Sequence, residues 1–182
     1  DLREGKMTLP VILARVAGTY DDAVRRAALD AEQHGRHVIS DTSYPGYLDV
    51  PRDVMHGYGV MAGEIVRELA ERPTHVFVQC GVGGLAAAAC AFFWQTWGAA
   101  RPRFVVVEPD RAACLYESMA QGQPTHVAGT LDTRMTCLAC GDVSLLAWDL
   151  LRDGADDVLT IPDAAEDEAL ALLREGVRGD VP

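Results

Sequence analysis

The stretch His75-Val-Phe-Val-Gln-Cys-Gly-Val-Gly-Gly-Leu-Ala-Ala-Ala-Ala-Cys-Ala-Phe-Phe93 decides the fold. It starts with a short apolar, β-branched run, passes through three glycines in four positions and continues as a run of small residues. This order predicts a buried strand, a tight loop and the N-terminus of a helix. Such a loop can turn unpaired backbone N–H groups, with the helix dipole behind them, towards a phosphate.

The glycine loop itself, residues 81–84, does not match either of two familiar nucleotide-binding motifs. It is shorter than the six-residue dinucleotide fingerprint, and it has no Gly-Lys-Ser/Thr sequence of a nucleoside triphosphate loop. One interpretation is a tight strand-to-helix turn in which glycines allow close packing. A phosphate-binding loop is favoured because three glycines in four positions exceed what a turn requires.

Strand and helix patterns alternate along the rest of the chain. Short apolar runs predict strands at residues 37–40, 76–79, 104–107 and 158–161. Helical spacing and capping signals predict helices near residues 19–35, 51–72, 84–97, 110–121, 143–151 and 163–176. Because the strands are apolar on both faces, we expect an α/β fold with three layers, a mostly parallel sheet with helices on both faces. We interpret residues 1–182 as a single α/β domain, with residues 1–15 as a lead-in of uncertain structure.

Composition excludes several classes of function. The formal net charge of −11 argues against a surface for nucleic acid or for an anionic membrane, since phosphates would be repelled. No apolar run is long enough to cross a membrane, and the first residues lack the apolar core of a secretory signal. We therefore expect a cytoplasmic protein that binds neither nucleic acid nor membrane.

The chain contains five cysteines, an odd number that favours reduced thiols over a disulfide framework. A disulfide between Cys114 and Cys140 is a separate hypothesis. No metal site is predicted, because His34 and His37 straddle Gly35 and would not share a helical face.

Ligands of open parallel sheets collect at the carboxyl ends of strands. Three predicted strand ends carry suitable residues, namely Asp41-Thr42, the glycine loop 81–84, and Glu108-Pro109. We expect a ligand site where these segments meet.

The glycine loop and its neighbours resemble one family. Residues 79–87, Gln-Cys-Gly-Val-Gly-Gly-Leu-Ala-Ala, are similar to the phosphate-binding loop of fold-type II pyridoxal-phosphate enzymes, in particular the diaminopropionate ammonia-lyases. Other stretches resemble the same family in the same order: Tyr20-Asp-Asp-Ala-Val24, residues 41–47 with Asp41-Thr42 and Gly46-Tyr47, Met55-His-Gly-Tyr-Gly59, Val107-Glu-Pro-Asp110 and Leu138-Ala-Cys-Gly141. The resemblance covers residues 18–176, nearly the whole chain.

This resemblance implies an enzyme that converts 2,3-diaminopropionate to pyruvate and ammonia with pyridoxal phosphate as cofactor. It implies that the cofactor phosphate is held by backbone N–H groups of Gly81, Val82, Gly83, Gly84 and Leu85. Asp41 occupies the position of a proton-abstracting base, which we expect Tyr44 and Tyr47 to desolvate in part. A small-molecule amino-acid substrate and a homodimer are implied as well.

The chain also departs from the family pattern. Its single lysine, Lys6, lies outside the family's lysine motif, and the segment that contacts the pyridine nitrogen is missing. Cys137 replaces a residue that is usually glycine. We therefore expect a central portion of such an enzyme that does not complete the reaction alone. The alternatives are a serine/threonine dehydratase-like β-eliminating enzyme and a non-catalytic phosphate- or cofactor-binding domain.

Overall fold

The computed structural model describes residues 18–175, and its centre is a parallel three-stranded sheet. The strands are β1, His75–Gln79; β2, Arg103–Pro109; and β3, Asp157–Ile161, in the order β1-β2-β3. Val78, Val106 and Val158 stand in register across the three strands and belong to the core or pack against it. β-branched side chains suit such a pleated, buried surface, so the predicted parallel sheet is confirmed.

Six α-helices accompany the sheet within residues 18–175. They are α1, Tyr20–His34; α2, Asp49–Glu68; α3, Gly84–Trp97; α4, Cys114–Gln121; α5, Leu145–Gly154; and α6, Ala164–Glu175. Single turns of 3₁₀-helix lie at Gly98–Ala100 and Thr136–Leu138. The predicted limits of α1 are confirmed: Thr19 and Asp22 form a capping box, and Gly35 ends the helix with φ of +63°.

Helix α3 is the centre of the packing because its first turns carry almost no side-chain bulk. It contacts both α2 and α5, and Ala86 and Ala87 are fully buried. Ala62 of α2 and Ala147 of α5 are fully buried as well. Small residues on facing helices allow the backbones to approach closely, and this holds the glycine loop firmly between β1 and α3.

The strand predicted at residues 37–40 is absent, and the prediction was wrong for a specific reason. The backbone of this segment is satisfied by a side chain: the Ser40 N–H donates to Tyr47 Oη at 3.0 Å, and that hydroxyl donates to the Val38 carbonyl at 2.9 Å. Ile39 is 58% exposed, so no sheet covers it. One tyrosine hydroxyl takes the place of a neighbouring strand.

The helix predicted from residue 110 begins later, at Cys114. Its first free N–H groups meet the side chain of Glu108, which accepts from Leu115 at 2.9 Å and from Tyr116 at 2.7 Å. A carboxylate is a good acceptor for the unpaired N–H groups at a helix start. The chain between Pro109 and Ala113 therefore turns back, which brings the N–H groups of Leu115 and Tyr116 to Glu108.

The lead-in at residues 1–15 and Lys6 lie outside the described residues. Among the helices that are described, none combines the length and the apolar character needed to cross a membrane.

Candidate cofactor-binding site

The loop from Gly81 to Gly83 connects β1 to α3 and is held on both sides by backbone hydrogen bonds. On the sheet side, the Cys80 N–H donates to the Val107 carbonyl at 2.9 Å. On the helical side, the Ser144 N–H donates to the Val82 carbonyl at 2.9 Å. The loop is therefore fixed by the ends of two strands and by the start of α5.

Gly83 is required by both its backbone conformation and its packing. Its φ is +97°, and a Cβ added there would lie 2.9 Å from Cβ of Ala147. Side chains rarely adopt this conformation, and that distance is shorter than real Cβ contacts. Gly83 is the N-cap of α3 and offers no side chain to cap the helix.

The loop therefore leaves a row of backbone donors open. No N–H from Gly81 to Ala86 donates a hydrogen bond to another residue of the described range 18–175. Unpaired N–H groups at a helix start, backed by the helix dipole, form a site for an anion. These donors fit a phosphate group, so the sequence-based interpretation of the loop is consistent with its geometry.

A cavity of about 270 Å³ opens over these donors. All five predicted phosphate-binding residues, Gly81, Val82, Gly83, Gly84 and Leu85, line it. Asp41, Tyr20, Tyr58 and Gln79 line it from other parts of the chain. The structure thus brings the predicted carboxylate and the predicted phosphate loop into one cavity.

Asp41 is held by a neighbour that the sequence did not indicate. The Tyr20 hydroxyl donates to Asp41 Oδ1 at 2.9 Å and lies 2.8 Å from Thr42 Oγ1. Burial, and next the charge of Asp41, raise the pKa of Tyr20 well above its usual value. Tyr20 therefore keeps its proton and can act as a donor to Asp41. Burial and the charge of Asp41 also raise the pKa of Tyr58.

The two tyrosines that the sequence placed beside Asp41 lie outside the cavity over the glycine loop. Tyr44 and Tyr47 stack on each other, with ring centroids 4.9 Å apart, and neither lines the cavity over the glycine loop. The Tyr47 hydroxyl is engaged with the backbone at residues 38–40. Tyr20 and Tyr58 line the cavity beside Asp41, since helices α1 and α2 carry them there.

Residues 137–140 form the opposite wall. Cys137, Leu138 and Cys140 line the cavity, and a Cβ on Gly81 would lie 3.2 Å from the Cys137 carbonyl oxygen. This close approach depends on the backbone of residue 137, and the Cys137 side chain is exposed. A cysteine at this position is therefore compatible with a closely packed wall.

The predicted disulfide is absent from the structure, in which Cys114 and Cys140 are free, buried thiols. Cys114 Sγ instead donates to the Gly81 carbonyl at 3.3 Å and lies 3.7 Å from Glu108 Oε1. Burial raises the pKa of both thiols, that of Cys140 to about 12. The protonated Cys114 thiol donates to the loop backbone, which explains its position without a covalent bond.

Glu108 lies beside Cys114 and is fully buried. Burial raises the pKa of its carboxyl to about 7, although hydrogen bonds from Leu115 and Tyr116 oppose the shift. The sequence placed Glu108 at a strand end near the ligand; the structure shows that it caps α4 from inside the protein.

Comparison with known proteins identifies the family. The family described as "Pyridoxal-phosphate dependent enzyme" matches residues 9–180. Diaminopropionate ammonia-lyase of Escherichia coli strain K12 is 37% identical over 157 residues, which cover 85% of this chain and 39% of that protein. The Bacillus subtilis L-threonine dehydratase is 26% identical over 159 residues, or 87% of this chain and 35% of that protein.

Solved structures give the same result. The E. coli diaminopropionate ammonia-lyase in complex with D-serine superposes with a TM-score of 0.81 and 33% identity, over 92% of this chain and 42% of that one. The chain spans less than half the length of these relatives. With a family match over most of its residues, the chain belongs to the pyridoxal-phosphate-dependent enzymes.

Proposed function

We propose that the chain supplies the phosphate-binding loop and one acid–base carboxylate of a pyridoxal-phosphate-dependent ammonia-lyase. The proposed reaction converts 2,3-diaminopropionate to pyruvate and ammonia. The observation that carries the proposal is the shared cavity, in which the open N–H groups of residues 81–86 lie beside the carboxylate of Asp41. The similarity to diaminopropionate ammonia-lyases over 85% of the chain supports the choice of substrate.

In this proposal the loop binds and orients the cofactor. Backbone donors of Gly81, Val82, Gly83, Gly84 and Leu85 hold its phosphate, and the dipole of α3 adds to the attraction. Because the loop is fixed by Cys80, Ser144 and the packing of Gly83, these donors are already positioned before the ligand arrives. When bound, the cofactor withdraws electrons from the substrate α-carbon, which makes its proton removable.

Asp41 is the proposed base. Its Oδ1 accepts hydrogen bonds from Tyr20 and Thr42, whereas Oδ2 has no hydrogen-bond partner within residues 18–175. We assign the α-proton to Oδ2, which is the oxygen left open to the cavity ligand. Tyr20 fixes the orientation of the carboxylate and limits its contact with water.

The test is the variant Asp41→Asn. Since the chain spans about 39% of the relative's length, turnover is measured on a protein that carries the remaining length as well. We expect kcat to fall by about 100-fold or more for at least one enantiomer of diaminopropionate, the usual contribution of a positioned base. Asp49→Asn, which removes an exposed carboxylate paired with Arg52, is the matched control and should leave kcat unchanged.

Normal turnover of both enantiomers by Asp41→Asn would rule out Asp41 as a base. Turnover of L-threonine or L-serine in preference to diaminopropionate would favour the dehydratase alternative. The 26% identity to the Bacillus subtilis L-threonine dehydratase is the reason to test it. Cofactor binding with no turnover of any of these amino acids would favour the non-catalytic binding domain.

We further propose a cytoplasmic homodimer. Support for a subunit interface comes from α2, where Val60 is 63% exposed and Met61, Ile65 and Leu69 are each at least 40% exposed. The five free cysteines support a reducing compartment. Light scattering coupled to size exclusion tests the dimer: a mass equal to one chain at micromolar concentration would contradict it.

A further inference from the structure

A second cluster of chemically active side chains lies away from the glycine loop. Asp21, His126 and Asp142 each offer one ligand atom, and all three atoms lie within 4.8 Å of one another. The set joins the first turn of α1 to the segment between α4 and α5. The sequence-based prediction of no metal site concerned only His34 and His37. Asp21, His126 and Asp142 are far apart along the chain, and only the fold brings them together.

From this geometry we propose that Asp21, His126 and Asp142 bind a divalent transition-metal cation. Two carboxylates and one imidazole are ligands that such cations accept. His126 Nδ1 and Asp142 Oδ1 are 2.9 Å apart. Two ligand atoms at adjacent positions of an octahedral ion, each about 2.1 Å from it, are about 3.0 Å apart. The proposal does not depend on the proposed lyase activity.

The buried member of the set is an unusual carboxylate. Asp21 is only 7% exposed, and its Oδ2 accepts the Gly141 N–H at 3.0 Å. Its Oδ1 has no hydrogen-bond partner in the part of the chain that the structure describes, and Asp21 lines a cavity of about 420 Å³. Asp21 is thus a carboxylate that is more than nine-tenths buried, lines a cavity and has one oxygen, Oδ1, free to bind a cation.

Asp21 forms no ion pair with an arginine within residues 18–175. Arg25 also lines the cavity, but its guanidinium pairs with Asp22 at 2.7 Å. The carboxylates of Asp21 and Asp142 lie close to one imidazole, so a divalent cation bound between them would offset their negative charges.

The ligands are also held in place by the backbone. The Val127 N–H donates to the Gly141 carbonyl at 2.9 Å, which fixes the residues beside His126 and Asp142 to each other. A Cβ on Gly141 would lie 2.7 Å from Asp21 Oδ2 and 3.0 Å from His126 Cε1. Glycine at 141 thus leaves the space in which Asp21 and His126 approach each other. The three ligands leave further coordination positions open to the cavity.

The test uses Mn²⁺ as the probe, because it prefers oxygen and imidazole ligands and competes poorly for the five cysteine thiols. Loss of the free Mn²⁺ signal in electron paramagnetic resonance gives the stoichiometry and Kd for the 182-residue chain. We expect one saturable site per chain, and a rise of several degrees in Tm when Mn²⁺ is in large excess over Kd.

The test uses variants of the two exposed ligands, because replacing an exposed side chain should leave the chain folded. Asp142→Asn removes one carboxylate, and His126→Gln keeps a donor for Asp142 while removing the imidazole; their side chains are about half exposed, 48% and 51%. Each should weaken Mn²⁺ binding at least tenfold, while Asp49→Asn should bind as the unaltered chain does. No saturable binding, or equal binding by all three variants, would overturn the proposal and leave the cluster as a hydrogen-bonded contact between α1 and Gly141.

Discussion

The substitution Gly83→Ala tests whether the loop geometry is enforced by sterics. Gly83 has φ of +97°, and an added Cβ would lie 2.9 Å from Ala147 Cβ and 3.4 Å from Leu151 Cδ1. Ala147 and Leu151 are both fully buried, so neither can move away at low cost. The neighbouring Gly84 is different, because the nearest atoms to its added Cβ are 3.8 and 3.9 Å away.

The expected loss follows from two costs. A left-handed conformation costs a side chain about 1–2 kcal/mol. Overpacking of a well-filled core costs about 1–3 kcal/mol more. Gly83→Ala should therefore lower the free energy of unfolding by about 2–5 kcal/mol, a large part of the stability of a typical domain.

Urea unfolding followed by circular dichroism measures this loss, with Gly84→Ala as the matched control. The urea midpoint of Gly83→Ala should fall by about 1–2 M, given the usual dependence of stability on urea. Gly84→Ala should change stability by less than about 1 kcal/mol, since alanine is the better helix former and meets no close atom. A loss below about 1 kcal/mol for Gly83→Ala, or equal losses at both positions, would refute the reasoning.

Two further predictions concern Glu108, which caps α4, and Tyr20, which donates to Asp41. The pKa of Glu108 is raised from 4.5 to about 7, so the folded state holds this proton more tightly than the unfolded state. This group therefore makes the free energy of unfolding decrease as the pH rises from 4.5 towards 7. Glu108→Gln should flatten that decrease in urea unfolding at several pH values, and an unchanged slope would show that Glu108 does not cause it. Tyr20→Phe removes the donor to Asp41 and should lower the free energy of unfolding by about 1 kcal/mol. Tyr116→Phe, whose hydroxyl makes no hydrogen bond within residues 18–175, should change it little, and equal effects would discount the Tyr20 bond.

Local signals in the sequence were sufficient for the sheet and the loop. The change from a β-branched run to glycines and then to small residues predicted β1, the loop and α3, because each step restricts the backbone by itself. The capping box that begins at Thr19 marked the start of α1, and Gly35 marked its end, because each signal also restricts the backbone locally. These features require no knowledge of distant contacts.

Contacts between residues far apart along the chain could not be predicted from the sequence. The apolar run at residues 37–40 predicted a strand, but the Tyr47 hydroxyl satisfies its backbone instead. Tyr20 was assigned to a helix face, and only the packing of α1 places its hydroxyl on Asp41. A carboxylate at a predicted strand end, such as Asp41, is expected to accept a hydrogen bond from a nearby side chain. The sequence alone does not indicate which tyrosine donates it.

The central claim is that the loop from Gly81 to Leu85 holds the cofactor phosphate. Calorimetric titration of pyridoxal phosphate and of pyridoxal, which lacks the phosphate, tests it in the chain and in Gly84→Asp and Gly84→Asn. These two side chains have the same shape and differ in charge, and there is room for a Cβ at residue 84. The account predicts that the phosphate compound binds at least tenfold more tightly than pyridoxal, and that Gly84→Asp, but not Gly84→Asn, removes this preference. Equal affinity for the two compounds, or equal effects of the two substitutions, would contradict it.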